Sequence, residues 1–192
     1  MQDFYREHYR AYHERTFAVD PAAFLYPFLR ALPPGAAVLD VGCGSGRDLL
    51  WLQNKGFSVT GLEKSPELAD LARKNAGAQV IEADFETFDF SSLHFDAVLA
   101  SAAFVHVPHE RLAAVVRNVS RALAANGIFY TSLKKGEGKS TDDTGRVFYL
   151  WRDPDLREVF NRLGLSVLTF SSSASALNAE DVWLGYVLQL IC

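Results

Sequence analysis

Three glycines at alternate positions, Gly42, Gly44 and Gly46, come directly after an apolar segment that contains Asp40. Glycine has no Cβ to obstruct a ligand and tolerates positive φ, so such a loop can close its backbone around a small molecule. An apolar strand, a glycine turn and a helix in this order are typical of nucleotide-binding α/β domains. The loop alone is equally compatible with an ordinary glycine-rich turn.

A second acid, Glu63, ends the next predicted strand, about 20 residues beyond the loop. A carboxylate at this place can accept two hydrogen bonds from the diol of a ribose. An acid at a strand end is often only a cap or a solvated charge. Loop and acid together, however, indicate a ligand that contains adenosine.

The spacing of the glycines distinguishes among adenosine cofactors. Dinucleotide-binding folds use G-x-G-x-x-G, whose third glycine lets the helix pack closely while its N-terminus faces a pyrophosphate. Here the third-glycine position is Arg47 when counted from Gly42, and no Lys-Ser/Thr pair follows as it does in a P-loop. S-adenosylmethionine (SAM) has no phosphate, and its ammonium group suits the carboxylate of Asp40. The pattern therefore favours SAM over NAD.

The chain resembles the small, bacterial-type class I SAM-dependent methyltransferases over nearly its whole length. Residues 38–48, V-L-D-V-G-C-G-S-G-R-D, look like their first motif, and residues 61–65 look like their second. Residues 83–85 are similar to the third motif, and residues 95–101 to the fourth. The resemblance implies a Rossmann-like, doubly wound seven-stranded α/β sheet whose last strand, at 183–190, is antiparallel.

The resemblance also implies which residues hold SAM and its product S-adenosylhomocysteine. Asp40 and the glycine loop would hold the methionine moiety, and Glu63 the ribose hydroxyls. Asp84 would accept from the adenine amino group, with Phe85 against the ring. An N-terminal helix would cover the cofactor, as in related small enzymes. The cofactor-binding residues so predicted are Tyr9, Tyr12, Arg15, Thr16, Asp40, Gly42, Cys43, Gly44, Ser45, Gly46, Glu63, Lys64, Asp84, Phe85 and Ser101.

Two further residues are candidate catalytic groups. His106 follows the fourth predicted strand, where this family often places a group near the methyl acceptor, and an ordinary imidazole pKa near 6.5 suits a general base. A histidine that is only hydrogen-bonded to a backbone carbonyl is the alternative interpretation. Lys134 ends the fifth predicted strand, where it can bind an anionic acceptor or begin a solvated loop.

The elements that must position these residues alternate between strand and helix patterns, which predicts a parallel sheet covered on both faces. A first helix carries Tyr5, Tyr9 and Tyr12 on one face, and a second follows Asp20-Pro21. The polar run from Lys134 to Arg146 is too long for an ordinary connector and predicts a mobile lid. Strands are predicted at 37–40, 57–62, 79–81, 95–100, 128–133, 167–170 and 183–190, and core helices at 47–55, from 66, from about 108 through Leu123, and from 153 to 163.

Length and composition limit the classes of protein. With 192 residues and 49% hydrophobic residues, we expect one domain over 1–192, with a helical cover at 1–33 and the Rossmann-like core at 34–192. The net charge of -4 disfavours nucleic acid, and no segment reaches the ~18 apolar residues of a membrane span. Cys43 in the loop and Cys192 at the end disfavour a structural disulfide, so the expected location is the reducing cytoplasm.

The predicted activity is methyl transfer from SAM to an oxygen or nitrogen of a small-molecule acceptor. Residues 101–104, Ser-Ala-Ala-Phe, lack the Asn/Asp-Pro-Pro-Tyr signature of amide-methylating enzymes, which disfavours a nucleobase amine. No Cys/His cluster with metal spacing is present, which disfavours a metal-dependent mechanism. A non-catalytic SAM-binding or interaction module and an NAD-dependent oxidoreductase are the alternatives. The oligomeric state and the acceptor are left open.

Overall fold

The fold is taken from a computed structural model, which describes residues 2–191. Seven strands form one sheet in the order β3-β2-β1-β4-β5-β9-β8, and two short strands, β6 and β7, form a separate hairpin. The strands are β1 (Ala37–Val41), β2 (Ser58–Glu63), β3 (Gln79–Glu82), β4 (Phe95–Ala100), β5 (Leu123–Lys134), β6 (Lys139–Thr141), β7 (Val147–Tyr149), β8 (Leu165–Ala174) and β9 (Val182–Leu190).

The direction of the strands confirms the predicted Rossmann-like sheet. Strands β1 to β5 pair in parallel, so their carboxyl ends meet at one edge, where binding sites of such sheets lie. The last strand, β9, is inserted between β5 and β8 and is antiparallel to both. Helices pack on both sides of the sheet, as expected for parallel strands.

The helices begin and end at residues whose types explain their limits. At the start of α5, the Oγ of Ser65 accepts a hydrogen bond from the N–H of Leu68, and Pro66 occupies the first turn. The same helix ends at Gly77, whose φ of 63° is favourable for glycine. The helices are α1 (Gln2–Glu7), α2 (Tyr9–Thr16), α3 (Ala22–Arg30), α4 (Arg47–Asn54), α5 (Pro66–Ala76), α6 (His109–Ser120) and α7 (Asp153–Arg162).

A hydrophobic core lies on each face of the sheet. On one face, Leu25 and Phe28 of α3 are fully buried against the sheet, and each contributes about 1.5–3 kcal/mol by burial. On the other face, α6 and α7 bury Leu112 and Phe160 against the same sheet. By contrast, α2 has no fully buried side chain. The core therefore fixes the strand ends, while α2 is held more weakly above them.

Three predicted elements differ from the structure. The single N-terminal helix is broken at His8, whose ψ of 20° is not helical, so α1 and α2 are separate. The predicted lid is partly ordered, because β6 pairs with β7 in an antiparallel hairpin. The helix predicted through Leu123 ends at Ser120, since Leu123 already pairs with Phe95 as the start of β5.

Two features bear on the predictions from composition. Among residues 2–191, no helix is long and apolar enough to cross a membrane. The thiol of Cys43 is buried and free. Cys192 lies outside the described residues.

Candidate functional site

A cavity of about 780 Å³ opens at the carboxyl edge of the parallel strands. It is bounded by the glycine loop, by α2, by the β6–β7 hairpin and by the segment between β8 and β9. Its lining includes most of the predicted methionine-binding and cover residues and one candidate catalytic residue: Tyr12, Arg15, Thr16, Asp40, Gly42, Cys43, Gly44, Ser45, Ser101 and Lys134. The other predicted residues lie outside this lining: Tyr9, Gly46, Glu63, Lys64, Asp84, Phe85 and His106.

The glycine loop is held against the end of β2 by backbone hydrogen bonds. The N–H groups of Gly42 and Cys43 donate to the carbonyl of Leu62, at 2.7 and 3.1 Å. Gly42 and Gly44 have φ values of 72° and 56°, a region that disfavours residues with a Cβ. These contacts bring the loop and the acid that ends β2 together.

Glu63 is the group that joins loop and strand. Its Oε2 accepts from the N–H of Gly44, and its Oε1 accepts from those of Lys64 and Ser65, each at 2.9 Å. Burial raises the pKa of this carboxyl, although the three backbone hydrogen bonds act in the opposite direction. A carboxylate can accept about four hydrogen bonds, so Oε2 retains capacity for a ligand hydroxyl.

Asp40 presents an unsatisfied carboxylate to the cavity. The residue is 2% exposed, and its buried Oδ2 has no hydrogen-bond partner among the described residues. Burial and the neighbouring charge of Asp48 raise its pKa well above the ordinary value. A buried polar atom without a partner requires an explanation, and a bound cation would supply one.

Arg47 and Asp48, which follow the loop directly, form a pair that the sequence analysis did not assign to the site. Two guanidinium nitrogens of Arg47 donate to the carboxylate of Asp48, at 2.7 and 3.0 Å. The same guanidinium lies 5.3 Å from the ring centroid of Phe24. Both charged residues line the cavity. Their place directly after the third glycine is the signal that identifies them.

The predicted adenine-binding residues are close to one another but lie outside the cavity. Nζ of Lys64 donates to Asp84 at 2.6 Å. Burial acts to raise the pKa of Asp84, but the hydrogen bonds from Lys64 and from the N–H of Glu86 outweigh it, so this pKa is lowered. Phe85 packs edge-to-face against Phe104, with ring centroids 5.3 Å apart.

Three residues of the predicted set have contacts that point elsewhere. Tyr9 lines a separate surface cleft between α2 and α5, whereas Tyr12 of the same helix packs edge-to-face against Tyr5. A Cβ at Gly46 would stand 2.8 Å from the Cα of Ala72, so this glycine permits α4 to approach α5. The Sγ of Cys43 lies 2.7 Å from the position of a Cβ at Gly61, so its thiol points into the core.

His106 joins the N-terminal helix to the hairpin. Its Nδ1 donates to the carbonyl of Val147, so its Nε2 accepts from the hydroxyl of Tyr5, at 2.9 Å. Burial lowers the pKa of His106, partly offset by the bond to Val147. Both ring nitrogens of His106 are thus hydrogen-bonded. This agrees with the alternative interpretation of a histidine bonded to a backbone carbonyl, here that of Val147 on β7.

Arg146, which ends the predicted lid, contacts the N-terminal helix α1 over the cavity. The guanidinium carbon of Arg146 lies 4.5 Å from the ring centroid of Phe4 and 6.0 Å from that of Tyr5. The charge of Arg146 is balanced by Asp142 in the same hairpin, whose Oδ2 lies 2.6 Å from Nη2 of the guanidinium. Arg6 of α1 contacts Glu67 of α5. Helix α1 therefore spans the mouth from α5 to the hairpin.

Lys134 lies at the end of β5 inside the cavity. Its Nζ donates to Asp181 at 2.7 Å and stands 4.1 Å from the ring centroid of Phe148. The side chain is 14% exposed. Because Asp181 is the last residue of the segment between β8 and β9, the ion pair ties that segment to the sheet.

Comparison with known proteins gives related methyltransferases. The family model for a methyltransferase domain matches residues 38–127. A ubiquinone biosynthesis O-methyltransferase of Xanthomonas campestris is 31% identical over 121 residues, covering 60% of this chain and 50% of that protein. An uncharacterized methyltransferase of Synechocystis is 33% identical over 100 residues, covering 52% of this chain and 47% of that protein. The chain spans about half the length of these curated relatives.

A solved structure extends the likeness to the whole fold. The 1,6-didemethyltoxoflavin-N1-methyltransferase of Burkholderia thailandensis superimposes with a TM-score of 0.79 at 18% identity, covering 100% of this chain and 87% of that chain. It was crystallised with 1,6-didemethyltoxoflavin and S-adenosylhomocysteine. At this identity the likeness establishes the fold.

Proposed function

We propose that the chain is a class I SAM-dependent methyltransferase, which transfers the methyl group of SAM to an oxygen or nitrogen of a small molecule; the methyltransferase-domain match over residues 38–127 and the order of the seven strands support this. The observation that carries the proposal is the unsatisfied Oδ2 of Asp40, buried beside a glycine loop and lining the cavity.

The residues present fit the chemistry of this cofactor. Asp40 offers a carboxylate to the methionine ammonium, and Glu63 offers the remaining capacity of Oε2 to the ribose. Asp84 and Phe85 would meet the adenine after Lys64 releases Asp84. Gly42 and Gly44 have no Cβ, so the backbone of the glycine loop is accessible to a molecule in the cavity. This donor set suits an organic cation.

The reaction requires alignment more than proton transfer. Bound SAM supplies an electrophilic methyl group on a sulfonium, whose sulfur keeps the bonding electron pair while the lone pair of the acceptor forms the new bond. The chain's part is to hold the acceptor in line with that bond, and orientation alone can lower such a barrier by ~7 kcal/mol or more. Tyr12, Phe148 and the residues of α1 would exclude water above the site.

The acceptor side is proposed from contacts and relatives together. Lys134 would position the acceptor, and His106 would act as a base only if the cover opens, since both its nitrogens are engaged. One relative is named for O-methylation in ubiquinone biosynthesis, and one structural neighbour for N1-methylation of 1,6-didemethyltoxoflavin. These names support a small-molecule acceptor, and they are compatible with methylation of either an oxygen or a nitrogen. We keep a cytoplasmic location, and a cover at residues 1–33, as predictions.

The test is turnover to S-adenosylhomocysteine by the full chain with a panel of metabolites, together with calorimetric binding of SAM. We expect SAM binding and acceptor-dependent turnover. Stabilisation by SAM should reach about 2.7 kcal/mol at a hundredfold excess over Kd, and NAD should give none. Binding without turnover across broad panels would favour a non-catalytic module. Stabilisation by NAD instead of SAM would overturn the proposal.

A further inference from the structure

Part of the cavity is built directly on the face of the sheet. The antiparallel register places small residues of three neighbouring strands in one row, which we call the serine-glycine row: Ser132 of β5, Gly185 of β9 and Ser171 of β8. The next row toward the carboxyl end of β5 contains larger residues: Lys134, Trp183 and Ser173. All six residues line the cavity, so both rows face it.

Steric crowding explains why residue 185 is a glycine. It is not among the glycines with positive φ, so its backbone conformation would accept any residue. A Cβ here would stand 2.7 Å from Oγ of Ser171 and 3.2 Å from the hydroxyl oxygen of Tyr130. A glycine inside a strand loses packing and often marks the close approach of another group. The missing side chain leaves a depression with hydroxyls at its rim.

Two further hydroxyls, of Ser132 and Tyr130, line the cavity beside this depression. Oγ of Ser132 accepts a hydrogen bond from the N–H of Ala102, at 2.9 Å. Burial raises the pKa of Tyr130, which keeps the phenol protonated. Tyr130 therefore retains a proton to donate beside Ser171. Such a group recognises an oxygen of a bound molecule.

The charges around the rows disfavour an anionic molecule. Lys134 is paired with Asp181, and Arg146 is paired with Asp142. Two further carboxylates of the lining, Asp143 and Glu180, have no ion pair among the described residues. With both cations already balanced, the remaining field of this half of the cavity is negative, and it favours a neutral or cationic molecule.

Aromatic side chains stand beside the rows. Phe148 and Trp183 line the cavity, and Nζ of Lys134 lies 4.1 Å and 5.9 Å from their ring centroids. The ring of Phe148 is buried and already packs against His106, with ring centroids 4.7 Å apart, so the half-buried Trp183 offers the flat face for a planar ring. Building on the proposed function, we infer that the serine-glycine row is the floor of the acceptor site and that the acceptor is a hydroxylated aromatic molecule of neutral or positive charge.

The experiment uses two probes that differ in charge. In the complex of the full chain with S-adenosylhomocysteine, calorimetry compares 3,4-dihydroxyphenethylamine with 3,4-dihydroxyphenylacetate. We expect the amine to bind at least about tenfold more tightly than the acid, a difference of ~1.4 kcal/mol. Equal affinities, tighter binding of the acid, or no binding of either probe at millimolar concentration would overturn the inference. Failure of S-adenosylhomocysteine itself to bind would instead overturn the proposed function.

Two variants then locate the floor. Ser171→Ala should weaken binding of the amine about 3- to 10-fold, the range of one hydrogen bond. Ser172→Ala is the matched control, because the next side chain of β8 is exposed and faces away from the row. Gly185→Ala should weaken the amine at least about tenfold, and S-adenosylhomocysteine should bind as before to each variant. Unchanged affinity for the amine in both Ser171→Ala and Gly185→Ala would rule out the row as the floor.

Discussion

Gly44 and Glu63 are joined by a hydrogen bond of 2.9 Å from the backbone N–H of the glycine to Oε2 of the acid. The loop that would hold methionine and the carboxylate that would hold ribose are therefore one unit. A change in either residue is expected to alter the shape of the other half of the site.

Glu63→Gln should weaken binding of S-adenosylhomocysteine by about 30-fold or more. The amide nitrogen would face a backbone N–H, so a buried charge-assisted hydrogen bond is lost and two donors oppose each other, at a cost of roughly 2 kcal/mol. Glu82→Gln is the control, because Glu82 is exposed and pairs with Glu63 in register on β3. Calorimetry measures the affinity of both variants for S-adenosylhomocysteine. Native affinity in Glu63→Gln would remove this residue from the site.

Asp40 should release a proton when the cofactor binds. Its pKa is raised in the free protein by burial and by the charge of Asp48, so the carboxyl holds a proton at pH values where an ordinary Asp is ionised. A bound ammonium favours the ionised form, so affinity should rise with pH through this range. The binding enthalpy should then vary with the ionisation enthalpy of the buffer. In Asp40→Asn, the affinity should no longer rise with pH, and the binding enthalpy should no longer vary with the buffer. If both effects persist in the variant, the proton comes from another group.

Gly44 and Gly46 should separate binding from stability. Gly44→Ala meets only Tyr12, 3.4 Å from the new Cβ, so the strain of positive φ costs about 1–2 kcal/mol while the methyl group obstructs the cofactor. Gly46→Ala meets the backbone of Ala72 at 2.8 Å and should cost roughly 2–4 kcal/mol of stability. Thermal unfolding and calorimetry give the two readouts. The assignment of Gly44 fails if its variant binds S-adenosylhomocysteine normally.

The contact of His106 with Tyr5 should weaken in mild acid. Because burial lowers the pKa of His106 in the folded protein, the unfolded state binds the proton more readily. The stabilising contribution of this contact is therefore lost as pH falls below about 6.5, the ordinary pKa, toward the lower pKa of the folded state. Hydrogen exchange of β7 should accelerate over this range. Tyr5→Phe should accelerate it at neutral pH. If His106 were instead a general base, the pH profile of the turnover rate would show its titration. His106→Ala would remove that titration, and Tyr5→Phe would leave it.

The parts that sequence predicts well are those with local causes. The glycine loop, the acid at the end of β2 and the Ser65 cap all depend on residues that neighbour each other in the chain. The antiparallel last strand was predicted from the family resemblance, and the register with β5 bears it out. Local patterns therefore predicted the loop and the acid that we propose hold the cofactor.

The parts that sequence missed depend on contacts between distant segments. The β6–β7 hairpin has exposed polar residues on β6, so its pattern looked like a loop. The helical period suggested that Tyr5, Tyr9 and Tyr12 share one face, but Tyr12 packs against Tyr5 while Tyr9 lies in the cleft between α2 and α5. Nothing near Arg146 in sequence indicates that it would lie under Phe4. The proposed acceptor side depends on such contacts, which is why the sequence indicated Lys134 and His106 there but not Arg146 or the serine-glycine row.

Helix α1 should open more easily than the core unfolds, and turnover should depend on it. It is held by Arg6 to Glu67, by Tyr5 to His106 and by its rings on Arg146, which are contacts at the surface or at the cavity rim. Deleting residues 1–8 should lower turnover at least about tenfold, since an open mouth admits water and misaligns the acceptor. The free energy of unfolding should change by only about 1 kcal/mol. Arg10→Ala, an exposed change in α2, is the control.

Hydrogen exchange decides whether α1 acts as a cover. In the full chain, the amides of α1 and β7 should exchange quickly without ligand and slow down when S-adenosylhomocysteine is bound, because the bound molecule adds a surface on which both segments close. In the truncated chain, the slowing of β7 should be lost, since the contact of Arg146 with Phe4 and Tyr5 is gone. Equal protection with and without ligand, together with full activity of the truncated chain, would reduce α1 to a packing element.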